Sequence, residues 1–285
     1  MGATRTFPTV RLVNGSTGDP VLYLADPATG TALLFDGGDN CALTRDELGA
    51  LEAVFVTHHH VDHFVGLDRI VRANTDRDKT LHLFGPEHTI RRVWDRVRSY
   101  EYPFFPFMKL RLRVHELLPG RMRIGEMSCE ERWAEPTVSE LPWTGRVCYE
   151  ADRLRVEAVP VDHTVPCWAY ALVERVGRSR RVEVAFVTDT CWSAAVRPEL
   201  VKLCRGAERL YCDSFYASAQ AEQAAKHRHM MAPQAADLAK RAKVGEMVLM
   251  HFSTRYAGAY EQLVEEARAV FPRVTADLSP QGGVR

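Results

Sequence analysis

The strongest constraint on the fold is a run of histidines and acidic groups that directly follows an apolar strand. Residues 54–63 read VFVTHHHVDH, so a strand predicted over Ala53–Thr57 leads straight into polar residues. Imidazole and carboxylate groups are good ligands for zinc and similar metals. In an extended segment, residues two apart project to the same side, so His58 and His60 can bind one ion. The turn that follows gives the side chains of Asp62 and His63 a different direction. This arrangement suits two adjacent metals.

Strands and helices alternate along the rest of the chain. Further strands are predicted at Thr9–Val13, Val21–Leu24, Ala32–Phe35, Leu81–Phe84, Leu154–Val159, Trp168–Val173, Val182–Val187, Leu210–Cys212 and Val248–Met250. Helices are predicted at Phe64–Ala73, Glu87–Arg98, Ala217–Lys226, Pro233–Ala242 and Ala257–Val270, and a capping-box pattern of Thr44 and Glu47 begins a short one. Between Tyr100 and Tyr149 the pattern is irregular and predicts an elaboration at about residues 100–150. Two sheet-containing halves with helices outside predict a layered α/β fold in a single domain of residues 1–285.

Composition excludes several classes of protein. The chain has 37 Lys and Arg residues and 37 Asp and Glu residues, so no global charge attracts it to nucleic acid or anionic membranes. No apolar run reaches the length of a membrane span and the first residues lack a signal-peptide core, so we expect a cytoplasmic protein with no membrane partner. Seven scattered cysteines without a C-x-x-C pair predict reduced thiols.

Histidine and acidic motifs recur elsewhere in the chain, several of them where predicted strands end. In chain order these motifs are Phe35-Asp36-Gly37-Gly38, Asp162-His163-Thr164-Val165-Pro166, Val187-Thr188-Asp189-Thr190, Tyr211-Cys212-Asp213-Ser214, His229-Met230-Met231-Ala232 and His251-Phe252-Ser253-x-Arg255-Tyr256. With the run at residues 58–63, they resemble the ordered motifs of the metallo-β-lactamase superfamily, whose signature is H-x-H-x-D-H. The last two are similar to motifs of its ribonuclease Z-like branch. The resemblance covers roughly Val21 to Phe271 and implies a four-layer αββα sandwich.

The resemblance also implies a dinuclear metal centre. One metal would be held by His58, His60 and His163, the other by Asp62, His63 and His251, with Asp189 bridging. Two zinc ions are expected, with Mn²⁺ or Fe²⁺ as alternatives. Two adjacent ions share a water, lower its pKa and bind the oxygens of an in-line displacement at phosphorus. Asp36 would support the histidine run, whereas His59 is not a ligand position and is expected to point away from the metals.

The same resemblance implies the remaining site residues. His229 would protonate the leaving group and Asp213, where the family has glutamate, would orient it, so Asp62, His229 and Asp213 are the predicted catalytic residues. Ser253, Arg255 and Tyr256 are the predicted substrate contacts.

The implied function is that of a zinc-dependent phosphodiesterase similar to ribonuclease Z, a tRNA 3′-processing endonuclease. One alternative is a small-molecule phosphodiesterase acting on cyclic nucleotides, and another is a hydrolase of a non-phosphate ester, sulfate or lactone. A non-enzymatic binding protein would be expected to have lost ligands, and no ligand position is lost. Since the branch is commonly dimeric, a homodimer is expected.

Two segments bear on the size of the substrate. Ribonuclease Z enzymes usually carry a long arm that grips tRNA, in bacterial forms between the third-histidine motif and the bridging aspartate. Only 26 positions separate His163 from Asp189, which predicts two strands and a turn at Val176–Arg181 and no arm. Between Arg91 and Arg123, nine basic residues and three acidic ones give a net charge of +6. With interleaved aromatic residues, this segment could bind a phosphate backbone and stack bases, or form a solvated strand face and a subunit contact.

Overall fold

The computed structural model describes residues 9–26, 29–102, 107–151, 154–176 and 179–279. The chain divides into two compact units, each containing one β-sheet. The first unit comprises residues 1–13 and 20–145, and the second comprises residues 14–19 and 146–285. The prediction of a single domain over residues 1–285 stays a prediction.

The sheet of the first unit has eight strands whose spatial order follows the chain. They are β1 (Thr9–Leu12), β2 (Leu22–Asp26), β3 (Thr31–Phe35), β4 (Leu51–Phe55), β5 (Thr80–Gly85), β6 (Arg111–Leu118), β7 (Gly120–Ser128) and β8 (Thr137–Trp143). Strands β3 to β6 run parallel to one another, and the outer strands pair antiparallel. Because β3 and β4 are parallel neighbours, the residues that follow them meet at one edge of the sheet.

In the described residues of this unit there are four α-helices: α1 (Arg45–Gly49), α2 (Val61–Phe64), α3 (Leu67–Asn74) and α4 (Thr89–Arg98). Helix α1 begins with the predicted capping box, in which the Thr44 hydroxyl accepts from the Glu47 amide and the Glu47 carboxylate accepts from the Thr44 amide. The single helix predicted over Phe64–Ala73 is instead the end of α2 followed by α3. It breaks at Gly66 because this residue donates its N–H to the Gly37 carbonyl at 2.7 Å.

The helices α3 and α4 bury their apolar faces in the core of this unit. This core includes Leu34, Val54, Leu83 and Leu112 from the sheet and Ile70, Val71, Val93, Trp94 and Val97 from the helices. Both helices carry apolar residues at helical spacing, which is why the sequence pattern located them.

The region predicted to be irregular, from Tyr100 to Tyr149, contains regular strands. Strands β6, β7 and β8 continue the first sheet as an antiparallel meander, and Gly120 begins β7 with a φ of 80°. The sequence pattern missed β8 because six of its seven residues are exposed, which removes the alternation of apolar and polar residues. Pro103, Phe104, Phe105 and Pro106 of the aromatic cluster lie outside the described residues.

The sheet of the second unit has seven strands in the order β15-β14-β13-β12-β11-β10-β9. They are β9 (Val147–Ala151), β10 (Leu154–Val161), β11 (Cys167–Val176), β12 (Ser179–Val187), β13 (Arg209–Asp213), β14 (Glu246–Met250) and β15 (Val274–Ala276). Strands β12 to β15 are parallel, so their carboxyl ends lie at one edge. In open α/β sheets, this edge is where ligands bind.

The helices of the second unit are α5 (Arg197–Leu203), α6 (Ala221–His227), α7 (Ala232–Ala242) and α8 (Glu261–Arg268). Two predicted helices begin later than expected. A 3₁₀ turn at Ser218–Gln220 precedes α6, and Gly258, whose φ of 83° is not helical, precedes α8. Helix α5 and strand β15 were not predicted. The short segment of residues 14–19 joins this unit through Ser16, whose carbonyl accepts from the Phe252 amide at 2.9 Å.

Two further expectations concern membranes and cysteines. Within the described part of the chain, no helix has the length and apolar character needed to cross a membrane. All seven cysteines are described and are free thiols, as predicted.

Gly66→Ala should lower the free energy of unfolding by about 1–3 kcal/mol, the usual cost of overpacking. A Cβ at this position would lie 2.3 Å from both the Asn40 Nδ2 atom and the Gly38 carbonyl oxygen. Gly145→Ala is the matched control, because no atom lies within 4 Å of its added Cβ. Urea denaturation of both variants checks this, and equal stabilities would contradict the packing argument.

Candidate functional site

In the first unit, the site begins with the buried carboxylate of Asp36 at the end of β3. It accepts hydrogen bonds from the Thr57 amide at 2.6 Å, the Thr57 hydroxyl at 2.9 Å and the His63 Nδ1 atom at 2.7 Å. Burial raises the pKa of Asp36 above its ordinary value, although the bonds from His63 and Thr57 oppose this shift. Since Nδ1 of His63 is held by the carboxylate, Nε2 is the atom that can bind a metal.

The predicted ligands of the first unit lie together. The ring centroid of His58 is 4.5 Å from that of His60 and 4.1 Å from that of His63. Asp62 completes the group, with its Oδ2 atom 3.5 Å from Nε2 of His63. Three imidazoles and one carboxylate form a donor set that fits zinc or a similar ion.

His59, between two of these residues, has a separate environment. Its Nε2 atom lies 2.9 Å from the Thr89 hydroxyl, and its ring packs edge-on against Phe64 at 5.2 Å. Burial, together with the charges of Arg92 and His88, lowers the pKa of His59 to about 3. His59 is therefore a neutral side chain packed against Thr89 and Phe64.

In the second unit, residues from three strand ends and one loop form a compact cluster. Asp189 follows β12, Asp213 ends β13 and His251 follows β14 with a φ of 61°, while His229 precedes α7. One ligand atom from each of these four residues lies within 4.8 Å of the others. The Nδ1 atom of His251 is 3.0 Å from Asp189 Oδ1 and 3.4 Å from Asp213 Oδ1.

His229 lies against the carboxylate of Asp213. Its Nδ1 atom is 3.1 Å from Oδ2 of Asp213, which also accepts from the Met230 amide at 3.3 Å. Burial acts to lower the pKa of His229, but the Asp213 and Asp189 carboxylates raise it above the ordinary value. The Nε2 atom is 3.7 Å from Asp189 Oδ2, so the imidazole reaches the edge where the acidic groups meet.

His163 also belongs to this group. It is held in place by Arg228, a residue that the sequence pattern did not single out. Its Nε2 atom is 3.5 Å from Asp189 Oδ2, and its Nδ1 atom donates to the Arg228 carbonyl at 3.1 Å. Arg228 also donates to the His163 carbonyl at 3.1 Å and forms an ion pair with Asp162. The two partners are 65 residues apart, so no local sequence signal reveals this contact.

The three predicted substrate contacts lie just after His251. The Tyr256 hydroxyl accepts from the Ala217 amide at 2.9 Å and donates to Gln220 at 2.5 Å, so this residue supports the loop before α6. Arg255 donates to the Ser253 hydroxyl at 3.2 Å and lies over the Tyr216 ring. Substrate binding by Ser253, Arg255 and Tyr256 stays a prediction.

The basic segment from Arg91 to Arg123 is largely paired with carboxylates. The ion pairs are Arg91 with Asp95, Arg96 with Asp68, Arg111 with Asp78, Arg113 with Glu126, Arg121 with Glu140 and Arg123 with Glu116. Four of these acidic partners lie outside the segment, so the net charge counted along the sequence overstates the local positive charge. This arrangement favours the solvated strand face over a surface that binds a phosphate backbone.

Comparison with known proteins places this geometry in context. A family model described as "Beta-lactamase superfamily domain" matches residues 22–252. Ribonuclease Z of Deinococcus radiodurans is 29% identical over 310 aligned positions, which cover 90% of this chain and 93% of that protein.

Two solved structures are similar over most of their length. The short form of human tRNase Z has a TM-score of 0.63 at 20% identity, covering 85% of this chain and 92% of that one. The metallo-beta-lactamase fold protein YhfI from Bacillus subtilis has a TM-score of 0.63 at 17% identity, covering 93% and 95%. These likenesses confirm the predicted α/β fold class and the metallo-β-lactamase fold.

Asp36→Asn should weaken zinc binding about 10- to 100-fold, because the carboxylate that orients His63 loses its charge. Zinc dissociation constants from competition with a chromophoric chelator measure the effect. Asp39→Asn is the matched control, because the exposed Asp39 accepts a hydrogen bond from the nearby Cys41 amide, and an amide oxygen can accept the same bond. An unchanged dissociation constant in Asp36→Asn, with the fold intact by circular dichroism, would contradict this role.

Proposed function

This chain belongs to the β-lactamase superfamily and is a metal-dependent hydrolase, and we propose that it hydrolyses phosphodiesters by attack of a metal-activated water. The observation that carries the proposal is the environment of His229, whose Nδ1 atom is held by Asp213 and whose Nε2 atom lies 3.7 Å from Asp189. The alkoxide that leaves a phosphodiester is a strong base and needs a proton. An imidazole held by a carboxylate and with a raised pKa can supply it.

The metal ligands are part of the proposal. Following the family pattern, we assign one ion to His58, His60 and His163 and the other to Asp62, His63 and His251, with Asp189 as the bridge. Five imidazoles and two carboxylates suit zinc, with Mn²⁺ or Fe²⁺ as alternatives. When bound, two such ions lower the pKa of a shared water and neutralise charge that develops on the phosphoryl oxygens.

The remaining polar residues orient these groups. Asp36 holds Nδ1 of His63, the Arg228 carbonyl holds Nδ1 of His163 and Asp213 holds Nδ1 of His229. Each contact fixes the tautomer and the ring direction of a histidine before substrate binds, so little reorganisation is needed during the reaction.

The named relatives support an RNA phosphodiester as one substrate class. The similarity to ribonuclease Z of Deinococcus radiodurans extends over 90% of this chain and makes the 3′ end of precursor tRNA the specific candidate. Cleavage there requires the same three elements: an activated water, neutralised phosphoryl oxygens and an acid for the leaving oxygen. Location in the cytoplasm and a homodimer stay predictions.

A small phosphodiester, such as a cyclic nucleotide, is the second candidate, and two observations favour it. Strand β11 ends at Val176 and β12 begins at Ser179, so only two residues separate them and no arm is inserted there. The basic segment that could replace an arm is largely ion-paired. Because contacts with distant phosphates supply much of the affinity for nucleic acid, we propose that small phosphodiesters are turned over well and precursor tRNA poorly.

Hydrolysis of a non-phosphate ester, sulfate or lactone receives less support. A general acid such as His229 helps a poor leaving group to depart, and two adjacent ions, when bound, would suit the two oxygens of an in-line displacement at phosphorus. These alternatives are nevertheless hydrolytic reactions of the same metal centre, so a substrate panel should include them.

His229→Ala should keep its metals and lose about 10²- to 10⁴-fold in kcat on a dinucleoside phosphate, whose leaving group is an alkoxide. On bis-p-nitrophenyl phosphate the loss should be much smaller, because p-nitrophenolate leaves without a proton. His227→Ala is the control. His227 is an exposed histidine close to His229 in sequence, but its Nδ1 atom bonds to the Tyr216 hydroxyl at 2.6 Å. Equal losses on both substrates in His229→Ala would remove it from the acid role.

A second test compares substrates of different size. We expect higher kcat/KM for bis-p-nitrophenyl phosphate and cyclic nucleotides than for precursor tRNA, and a steep loss of tRNA cleavage as salt rises. Efficient tRNA cleavage at physiological salt, unaffected by the substitutions Arg111→Gln and Arg113→Gln, would instead assign this chain to tRNA processing.

A further inference from the structure

An aromatic ring covers one face of His229. The ring centroid of Phe215 is 4.4 Å from that of His229, and the two planes differ by 25°. Phe215 follows Asp213 by two residues, so one short segment that begins with the last residue of β13 supplies both the carboxylate at Nδ1 and the ring on the face. Phe215 also packs edge-on against His251 at 5.1 Å and is itself half-buried.

Among the described rings near His229, the others do not stack on it, and the His251 ring is tilted by 46° at 5.7 Å between centroids. Tyr216 and His163 meet the imidazole edge-on, at 6.0 Å and 5.3 Å between centroids and with interplanar angles of 69° and 74°. The bond to Asp213 fixes the position of one ring atom but still allows the imidazole to tilt about that atom. A stacked ring opposes this tilt, because tilting would drive the imidazole into the aromatic face or pull it out of contact.

We propose that Phe215 is a positioning residue that sets the direction of Nε2 of His229, and this inference rests on the proposed function of His229 as the acid. In the proton-transfer step, the bond from phosphorus to the leaving oxygen breaks, the oxygen keeps the electron pair and the Nε2 proton moves to it. The direction of the N–H bond matters for this step because proton transfer requires an aligned donor and acceptor. A phenyl ring suits this position, since it has no polar group to compete with Asp213 for the Nδ1 proton.

The kinetic experiment uses Phe215→Leu, which removes the stacked ring but keeps an apolar side chain, and Phe215→Trp, which restores a ring. Phe215→Leu should lower kcat on a dinucleoside phosphate roughly 10- to 100-fold with KM changed little, and should affect bis-p-nitrophenyl phosphate much less. Phe215→Trp should recover most of the loss. Phe252→Leu is the matched control. Phe252 follows His251 in sequence, and its phenyl ring stacks on Tyr260 at 5.7 Å. Removing this ring should affect hydrolysis of the two substrates equally.

A second measurement does not depend on activity. In the metal-free protein, NMR should show nuclear Overhauser contacts between the Phe215 and His229 rings, and Phe215→Leu should shift the His229 ring protons by removing the ring current. If the wild type hydrolyses neither substrate, the proposed function fails, whereas the NMR result still tests whether Phe215 holds the imidazole.

Three results would overturn the inference. They are equal losses on both substrates in Phe215→Leu, no recovery in a folded Phe215→Trp, and absent contacts between the two rings in the wild type. Should Phe215→Leu fail to fold, Phe215→Met gives the same comparison with a flexible side chain of similar volume.

Discussion

The structure depends on buried carboxylates that each hold a histidine by its Nδ1 atom. Burying a carboxylate is costly unless its oxygens are bonded, and Asp36 meets this requirement through Thr57 and His63. The two bonds from Thr57 join the end of β3 to the end of β4, and the bond from His63 orients this candidate ligand. Because the buried Asp36 carboxylate must be hydrogen-bonded, it fixes both the local backbone at Thr57 and the direction of the His63 ring.

Asp213 has the corresponding role in the second unit. It is fully buried, and the neighbouring His229 and His251 hold its pKa below the ordinary value although burial alone would raise it. Because β12, β13 and β14 are parallel, their carboxyl ends bring acidic and imidazole groups to one edge from distant parts of the sequence. A parallel sheet thus assembles a cluster of charges whose members stabilise one another.

The sequence was informative where one short segment carried a signal. Strand β4 and the candidate ligands after it were predictable because the apolar strand and the polar residues are adjacent, and the family resemblance added His229 and Asp213. Contacts between distant residues that belong to no motif were not predictable. Phe215 stacks on a residue fourteen positions away, Arg228 contacts a residue 65 positions away, and β8 is too exposed to show alternation. The basic segment likewise gains acidic partners that only folding brings close.

The central claim is that the histidines and carboxylates of this chain hold the metals that activate water for phosphodiester hydrolysis. The most direct test is to titrate metal-free protein with zinc while measuring bound metal and hydrolysis of bis-p-nitrophenyl phosphate in the same samples. The account predicts that hydrolysis is absent without metal, rises with binding and levels off near two ions per chain. Hydrolysis at full rate in the metal-free protein, or saturation at no more than one bound ion, would contradict it.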